Sequence, residues 1–200
     1  KKAQEILEKA GWVKNENGIF AKKLNKKDKE VTPLKLTIVT AKSIQLIAVL
    51  IRDYLKNVGI EADLKIVSLG ELQQNYLRTK NYSAILIGES YTSSIDPYVF
   101  WHGAAIKDPG LNLSLYDNKK VNKILEDTRQ ITDPIKRARK LEDFQKLVLS
   151  DAPAVFLYSP NYIYVIKNTV KNINLVNLAI PSNRFSKINE WYIETKRIWR

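Results

Sequence analysis

Between Leu34 and Ile87 the sequence switches back and forth between two apolar periods, and this alternation restricts the fold more than any other feature. Leu34, Leu36 and Ile38 recur at every second residue with Thr37 and Val39 between them, a strand pattern, and Pro33 suits the start of a strand. Ile44, Ile47, Ala48, Ile51, Tyr54, Leu55 and Val58 then follow the helical period of about 3.6 residues, which predicts a helix capped by Ser43 and closed by Gly59. The further apolar residues Leu46, Val49 and Leu50 predict burial of that helix on more than one side. Ala62 to Val67 reads as a second strand, Leu69 to Thr79 as a second helix, and Tyr82 to Ile87 as a third strand of the fully buried kind. Strands joined by helices of this length pair in parallel through right-handed crossovers. The expected fold class is α/β, with a mainly parallel βαβαβ sheet flanked by helices.

The remaining segments add to this frame. Ala3, Ile6, Leu7 and Ala10 lie on one helical face, with Gly11 as the left-handed cap, and Ile19 to Lys23 reads as a strand after the Asn17-Gly18 turn. Asn25 to Glu30 reads as a charged surface loop. Asn118 starts a helix with Val121, Ile124, Leu125 and Thr128 inward. Asp133-Pro134 starts another, with Ala138, Leu141, Phe144 and Val148 inward and an end near Asp151-Ala152-Pro153. Two strands are expected at Ala154 to Tyr158 and Tyr162 to Ile166, and a last one at Trp191 to Ile193.

Composition narrows the function classes. A chain of 200 residues with 44% apolar content buries a real core and suits one or two domains. The absence of Met leads to the expectation of a fragment. The net charge of +12 comes mostly from dispersed lysines, with clusters at Lys22-Lys23, Lys26-Lys27 and Lys29 and at Lys136, Arg137, Arg139 and Lys140. Dispersed charge of this kind reads as a solvated surface, and no recognition helix or aromatic RNA platform assembles from these residues, so nucleic acid is not expected as a partner. With His102 as the sole histidine, no cysteine and no Gly-x-Ser-x-Gly elbow, the usual nucleophile and base pairings are missing, and an enzyme is not expected. Neither a metal centre nor a cofactor is expected, since no ligand cluster and no phosphate-cradling glycine loop is present.

In a parallel sheet the ligand site lies beyond the carboxyl ends of the strands. The long polar and aromatic stretch after the third strand is therefore the candidate site. It offers Glu89, Tyr91, Ser93, Asp96, Tyr98, Trp101 and His102, and Tyr158 joins them from farther along the chain. Asp96-Pro97 reads equally well as a turn or helix cap and as a ligand contact. Of Tyr91, Tyr98, Phe100 and Trp101, two are expected in a cleft wall and two in the core.

The segments Ala3 to Trp12 (Ala-Gln-Glu-Ile-Leu-Glu-Lys-Ala-Gly-Trp), Leu34 to Val39, Val58-Gly59-Ile60-Glu61-Ala62, Tyr82 to Gly88 and Asp96-Pro97 occur in an order that resembles the extracellular solute-binding proteins of the oligopeptide, dipeptide and nickel type. Asn118-Lys119-Lys120-Val121, the helix at Asp133, and Asp151-Ala152-Pro153-Ala154-Val155-Phe156-Leu157-Tyr158 extend the resemblance over nearly the whole chain. It implies a periplasmic-binding-protein-like lobe, with residues 1–158 forming the carboxyl-terminal lobe of a two-lobed receptor and residues 159–200 crossing to the other lobe. It further implies a monomer outside the cytoplasm, lipid-anchored in its full length, that closes on a peptide or other small solute and delivers it to an ABC permease. In peptide-binding members a carboxylate shortly before the Asp-Pro pair meets the peptide amino terminus. Here that neighbourhood is Ser90-Tyr91-Thr92-Ser93-Ser94, which leaves Glu89 as a substitute or a ligand other than a free peptide. A second reading is a basic, non-enzymatic interaction module that binds acidic partners or nucleic acid.

Overall fold

In the computed structural model the described residues are 1–24, 30–89, 96–175, 178 and 180–193. The chain divides into two units, Lys1–Gly88 and Glu89–Arg200.

The first unit opens with α1 (Lys2–Lys9) and a small antiparallel sheet of β1 (Val13–Lys14), β2 (Phe20–Lys22) and β3 (Thr32–Pro33), paired Val13 to Ala21 and Ala21 to Pro33. The expected strand at Ile19 to Lys23 is thus present, and of the expected loop from Asn25 to Glu30 all but Glu30 lies outside the described residues. β4 (Lys35–Ala41) follows, then α2 (Gln45–Val58) and β5 (Glu61–Val67). After Ser68, whose hydroxyl caps the next turn by accepting from Glu71 N–H, come α3 (Leu69–Glu71), a π-helical continuation at Leu72–Leu77, and β6 (Ala84–Leu86). The strands lie in the order β5-β4-β6, all parallel, with Leu36 opposite Ala62 and Val39 opposite Ile85.

Both faces of this sheet are covered, which is why its strands read as nearly continuous apolar runs. Successive side chains of β4 point to opposite faces. Ile38 accordingly packs with Ala48 of α2, Ala62 and Leu86, whereas Val39 and Ala41 pack with Val67, Leu72 and Tyr76. Each such buried aliphatic side chain contributes on the order of 1.5 to 3 kcal/mol. Thr40 is fully buried, and its hydroxyl donates to the Leu86 carbonyl at 3.0 Å.

Two expectations for α2 are corrected. Ser43 does not cap it, because the chain first tightens into a 3-10 turn over Lys42–Ile44 and Ile44 takes the cap position without a side-chain bond. Nor is the helix buried on several sides within its unit: Leu46, Leu50 and Tyr54 are exposed, since one face suffices to cover the sheet. Gly59 ends the helix at φ +103°, and a Cβ there would stand 2.7 Å from the Gly18 carbonyl oxygen.

The second unit is built on α4 (Tyr98–Trp101), α5 (Lys119–Gln130) and α6 (Pro134–Asp151). Asn118 caps α5 by accepting from Lys120 and Val121 N–H, and Asp133 caps α6 by accepting from Ile135 and Lys136 N–H, as the sequence predicts. Val121 and Leu125 of α5, Phe144 and Val148 of α6, and Trp101 of α4 form one core. A short antiparallel pair, β7 (Val170–Lys171) with β8 (Tyr192–Ile193), completes the description.

The strands expected at Ala154 to Tyr158 and Tyr162 to Ile166 do not form. Neither stretch has a pairing partner among the described residues, and Val155 and Val165 stand 81% and 88% exposed. A β-type sequence without a neighbouring strand leaves its backbone groups to water. Among the described residues, no helix is long and apolar enough to cross a membrane.

Candidate functional site

The chain leaves β6 at its carboxyl end and enters the second unit at Glu89. Glu89 is exposed, yet surrounding protein atoms desolvate its carboxyl and raise it above the ordinary carboxylate range. Tyr91 and Ser93 lie outside the described residues.

From Asp96 onward the segment is tightly determined. Asp96 Oδ1 accepts from Tyr98 N–H at 3.1 Å, so the carboxylate turns the chain into the single helical turn α4. Its other oxygen, Oδ2, lies 3.2 Å from Nε of Arg129 in the last turn of α5. The Arg129 guanidinium also lies 4.4 Å from the centroid of the Tyr98 ring, within range of a cation-π attraction. Tyr98 in turn stacks on His102, with centroids 4.1 Å apart and planes 15° from parallel.

His102 is 7% exposed, and both of its ring nitrogens are engaged. Nδ1 accepts from Ala104 N–H at 3.0 Å, which puts the ring proton of the neutral form on Nε2, 3.3 Å from Glu126 Oε1. Two asparagines pin the backbone beyond it. Buried Asn112 donates to the His102 and Tyr116 carbonyls at 3.1 and 2.8 Å, and Asn122 Oδ1 accepts from Gly103 N–H at 2.9 Å.

The structure therefore brings Asp96, Tyr98 and His102 together and gives each a neighbour inside the protein. Glu89 and Tyr158 make no hydrogen bond or ion pair with them among the described residues; Tyr158 is exposed. Trp101 is a correction. It is 6% exposed and packs on Phe144 and Phe156, because α4 turns this side chain down onto α5 and α6, so it is a core residue and not an open wall. Phe100 is partly buried against the same core.

Sequence reading missed Arg129, Glu126, Asn112 and Asn122. Each acts across 10 to 33 residues of chain, and no local pattern marks such pairings. A depression of about 290 Å³, lined by Tyr98, Val99, Ala104, Ala105, Pro109, Gly110 and Leu111, opens beside the segment. No group of three or more His, Cys, Asp or Glu capable of holding a metal occurs among the described residues. Chemically, the arrangement fixes a shape: His102 and the Asp96 and Glu126 carboxylates are spent on internal contacts.

No protein-family model matches the chain. Over 166 residues it is 31% identical to the oligopeptide-binding protein AppA of Bacillus subtilis, a match that takes in 80% of this chain and 29% of AppA. The solved structure of AppA in complex with a nonapeptide covers 97% of this chain and superposes with a TM-score of 0.75, at 26% identity and over 37% of that chain. The likeness is thus to part of the solute-binding proteins of the peptide and nickel ABC type. A second relative, the probable D,D-dipeptide-binding periplasmic protein DdpA of Escherichia coli, is 34% identical over 90 residues, 44% of this chain and 17% of DdpA. The structure of NikZ from Campylobacter jejuni in complex with Ni(L-His) shares the fold at a TM-score of 0.67 and 20% identity, covering 95% of this chain and 38% of that one. The fold is of the periplasmic-binding-protein-like α/β type, and the chain spans less than a third of the length of AppA and DdpA in sequence.

Proposed function

We propose that this chain is the carboxyl-terminal lobe of a receptor that captures a peptide or similar small solute between two lobes and passes it to the membrane permease of an ABC importer. The likeness to peptide-bound AppA over 97% of the chain is the observation that carries this reading. In it, the site is a surface of Glu89, Tyr98 and Tyr158 on this lobe, framed by the Asp96 to His102 segment and faced by a second lobe. Backbone groups and waters hold an extended solute, and closure excludes solvent. The exposed β-type stretch from Ala154 to Ile166 supports a crossover into that second lobe, where a partner strand would satisfy its backbone. The receptor is a monomer, works outside the cytoplasm and is held to the membrane by a lipid anchor in its full length.

The test is binding of short peptides against binding of acidic polymers across a salt series. Saturable peptide binding with a shallow salt dependence is expected. Binding of acidic polymers alone, with the steep salt slope of counterion release, would replace this reading with that of a basic interaction module.

A further inference from the structure

Glu126 and Arg129 stand one helical turn apart on α5, and both reach the same seven-residue segment. Arg129 takes Asp96 Oδ2 at 3.2 Å and lies 4.4 Å from the Tyr98 ring centroid. Tyr98 stacks on His102, and His102 Nε2 faces Glu126 Oε1 at 3.3 Å. The contacts thus run Arg129, Tyr98, His102, Glu126 and begin and end on one helix. Asp96 is shared between this column and the backbone turn, one oxygen on Arg129 and one on Tyr98 N–H.

Such a column is more than the segment needs in order to fold. The turn at Asp96 is already made by its own carboxylate, and the backbone beyond His102 is already held by Asn112 and Asn122. These bonds do not reach the Tyr98 ring, which packs on one side against the Trp101 core and lies between Arg129 and His102. A planar guanidinium suits the task, because it pairs with a carboxylate and lies against an aromatic ring at the same time, which an ammonium does less well. We propose that Arg129 is a positioning residue for solute binding: it acts through Tyr98, holding that ring in its binding orientation against His102, with Glu126 anchoring the far end. This rests on the reading of Tyr98 as part of the solute surface.

The experiment uses the full receptor that carries this chain, with a nonapeptide of mixed composition as probe. Arg129→Gln is expected to weaken peptide binding about fivefold, the loss of one cation-π contact and one partly exposed ion pair, while the melting temperature stays nearly unchanged. Arg129→Lys, which keeps the charge near Asp96 but not the planar contact, is expected to recover only part of the affinity. In the peptide-free receptor, the Tyr98 and Ala104 amides should exchange faster in Arg129→Gln than in the wild type, with α5 amides unaffected. Unchanged affinity in Arg129→Gln, or full recovery by Arg129→Lys together with unchanged amide exchange, would overturn the positioning role. A wild-type receptor that binds no peptide would instead overturn the reading on which it rests, and the two failures are told apart by the wild-type titration.

Discussion

Trp101 and Phe144 meet edge to face, with ring centroids 6.4 Å apart and planes at 63°. The contact ties the one-turn helix α4 into the α5 and α6 core, so the loop residues that flank Trp101 take their position from buried packing. Trp101→Ala is expected to cost about 3 to 5 kcal/mol of stability, the usual cost of truncating a buried aromatic. Chemical denaturation followed by circular dichroism checks it. A loss below about 1 kcal/mol would place Trp101 at the surface.

The hydroxyl of Thr40 joins the central strand to β6 from a fully buried position. Thr40→Val keeps the shape but leaves the Leu86 carbonyl without this donor. The expected loss is about 1 to 3 kcal/mol, read from the same denaturation curves, and Thr40→Ser should recover part of it because the donor returns.

How much of this was legible in the sequence depends on the range of the interactions. The β5-β4-β6 sheet was legible because parallel strands covered on both faces write themselves as apolar runs between helical periods. The caps at Asn118 and Asp133 were legible because a cap is decided within three residues. Ser43 misled because a 3-10 turn over Lys42–Ile44 obeys the same local signals as a cap. The stretches at Ala154 and Tyr162 carry strand propensity, but a strand also needs a partner, and propensity does not say where one is. At the site, Asp96 and His102 were singled out by their place after the third strand, whereas Arg129 and Glu126 were invisible because their contacts cross from one element to another.

Gly59 offers a backbone test of the same unit. At φ +103°, with the Gly18 carbonyl oxygen 2.7 Å from where a Cβ would be, Gly59→Ala meets both conformational strain and a steric clash. A destabilisation of about 1 to 3 kcal/mol is expected. A thermal midpoint equal to that of the wild type would contradict it.

The pair Tyr116 and Asp151 sets a pH dependence. Desolvation and the hydrogen bond to Asp151, 2.6 Å from hydroxyl to Oδ2, push the Tyr116 phenol up to about 12. Hydrogen bonds from Tyr116 and then from Asn118 hold the Asp151 carboxyl below its ordinary value. A raised phenol contributes stability that is complete below its ordinary value of 10.0 and is lost as pH climbs toward about 12. A lowered carboxyl contributes stability that is present above its ordinary value of 3.8 and is lost as pH falls through its folded value. Urea midpoints measured from pH 3 to pH 12, on the scale of these values, should therefore fall at both ends, and Tyr116→Phe should flatten the alkaline fall and reduce the acid one. An alkaline limb as steep in Tyr116→Phe as in the wild type would assign that loss to other groups.

Isothermal titration calorimetry of a mixed-composition nonapeptide, into this chain alone and into the full receptor that carries it, bears most directly on solute capture between two lobes. In the proposed two-lobed receptor the opposing wall of the cleft contributes to binding, and each loss of about 1.4 kcal/mol is a factor of ten in affinity. The expected result is saturable one-to-one binding by the full receptor and binding at least about tenfold weaker by this chain. Equal affinity in the two, or no binding by the full receptor, would contradict it.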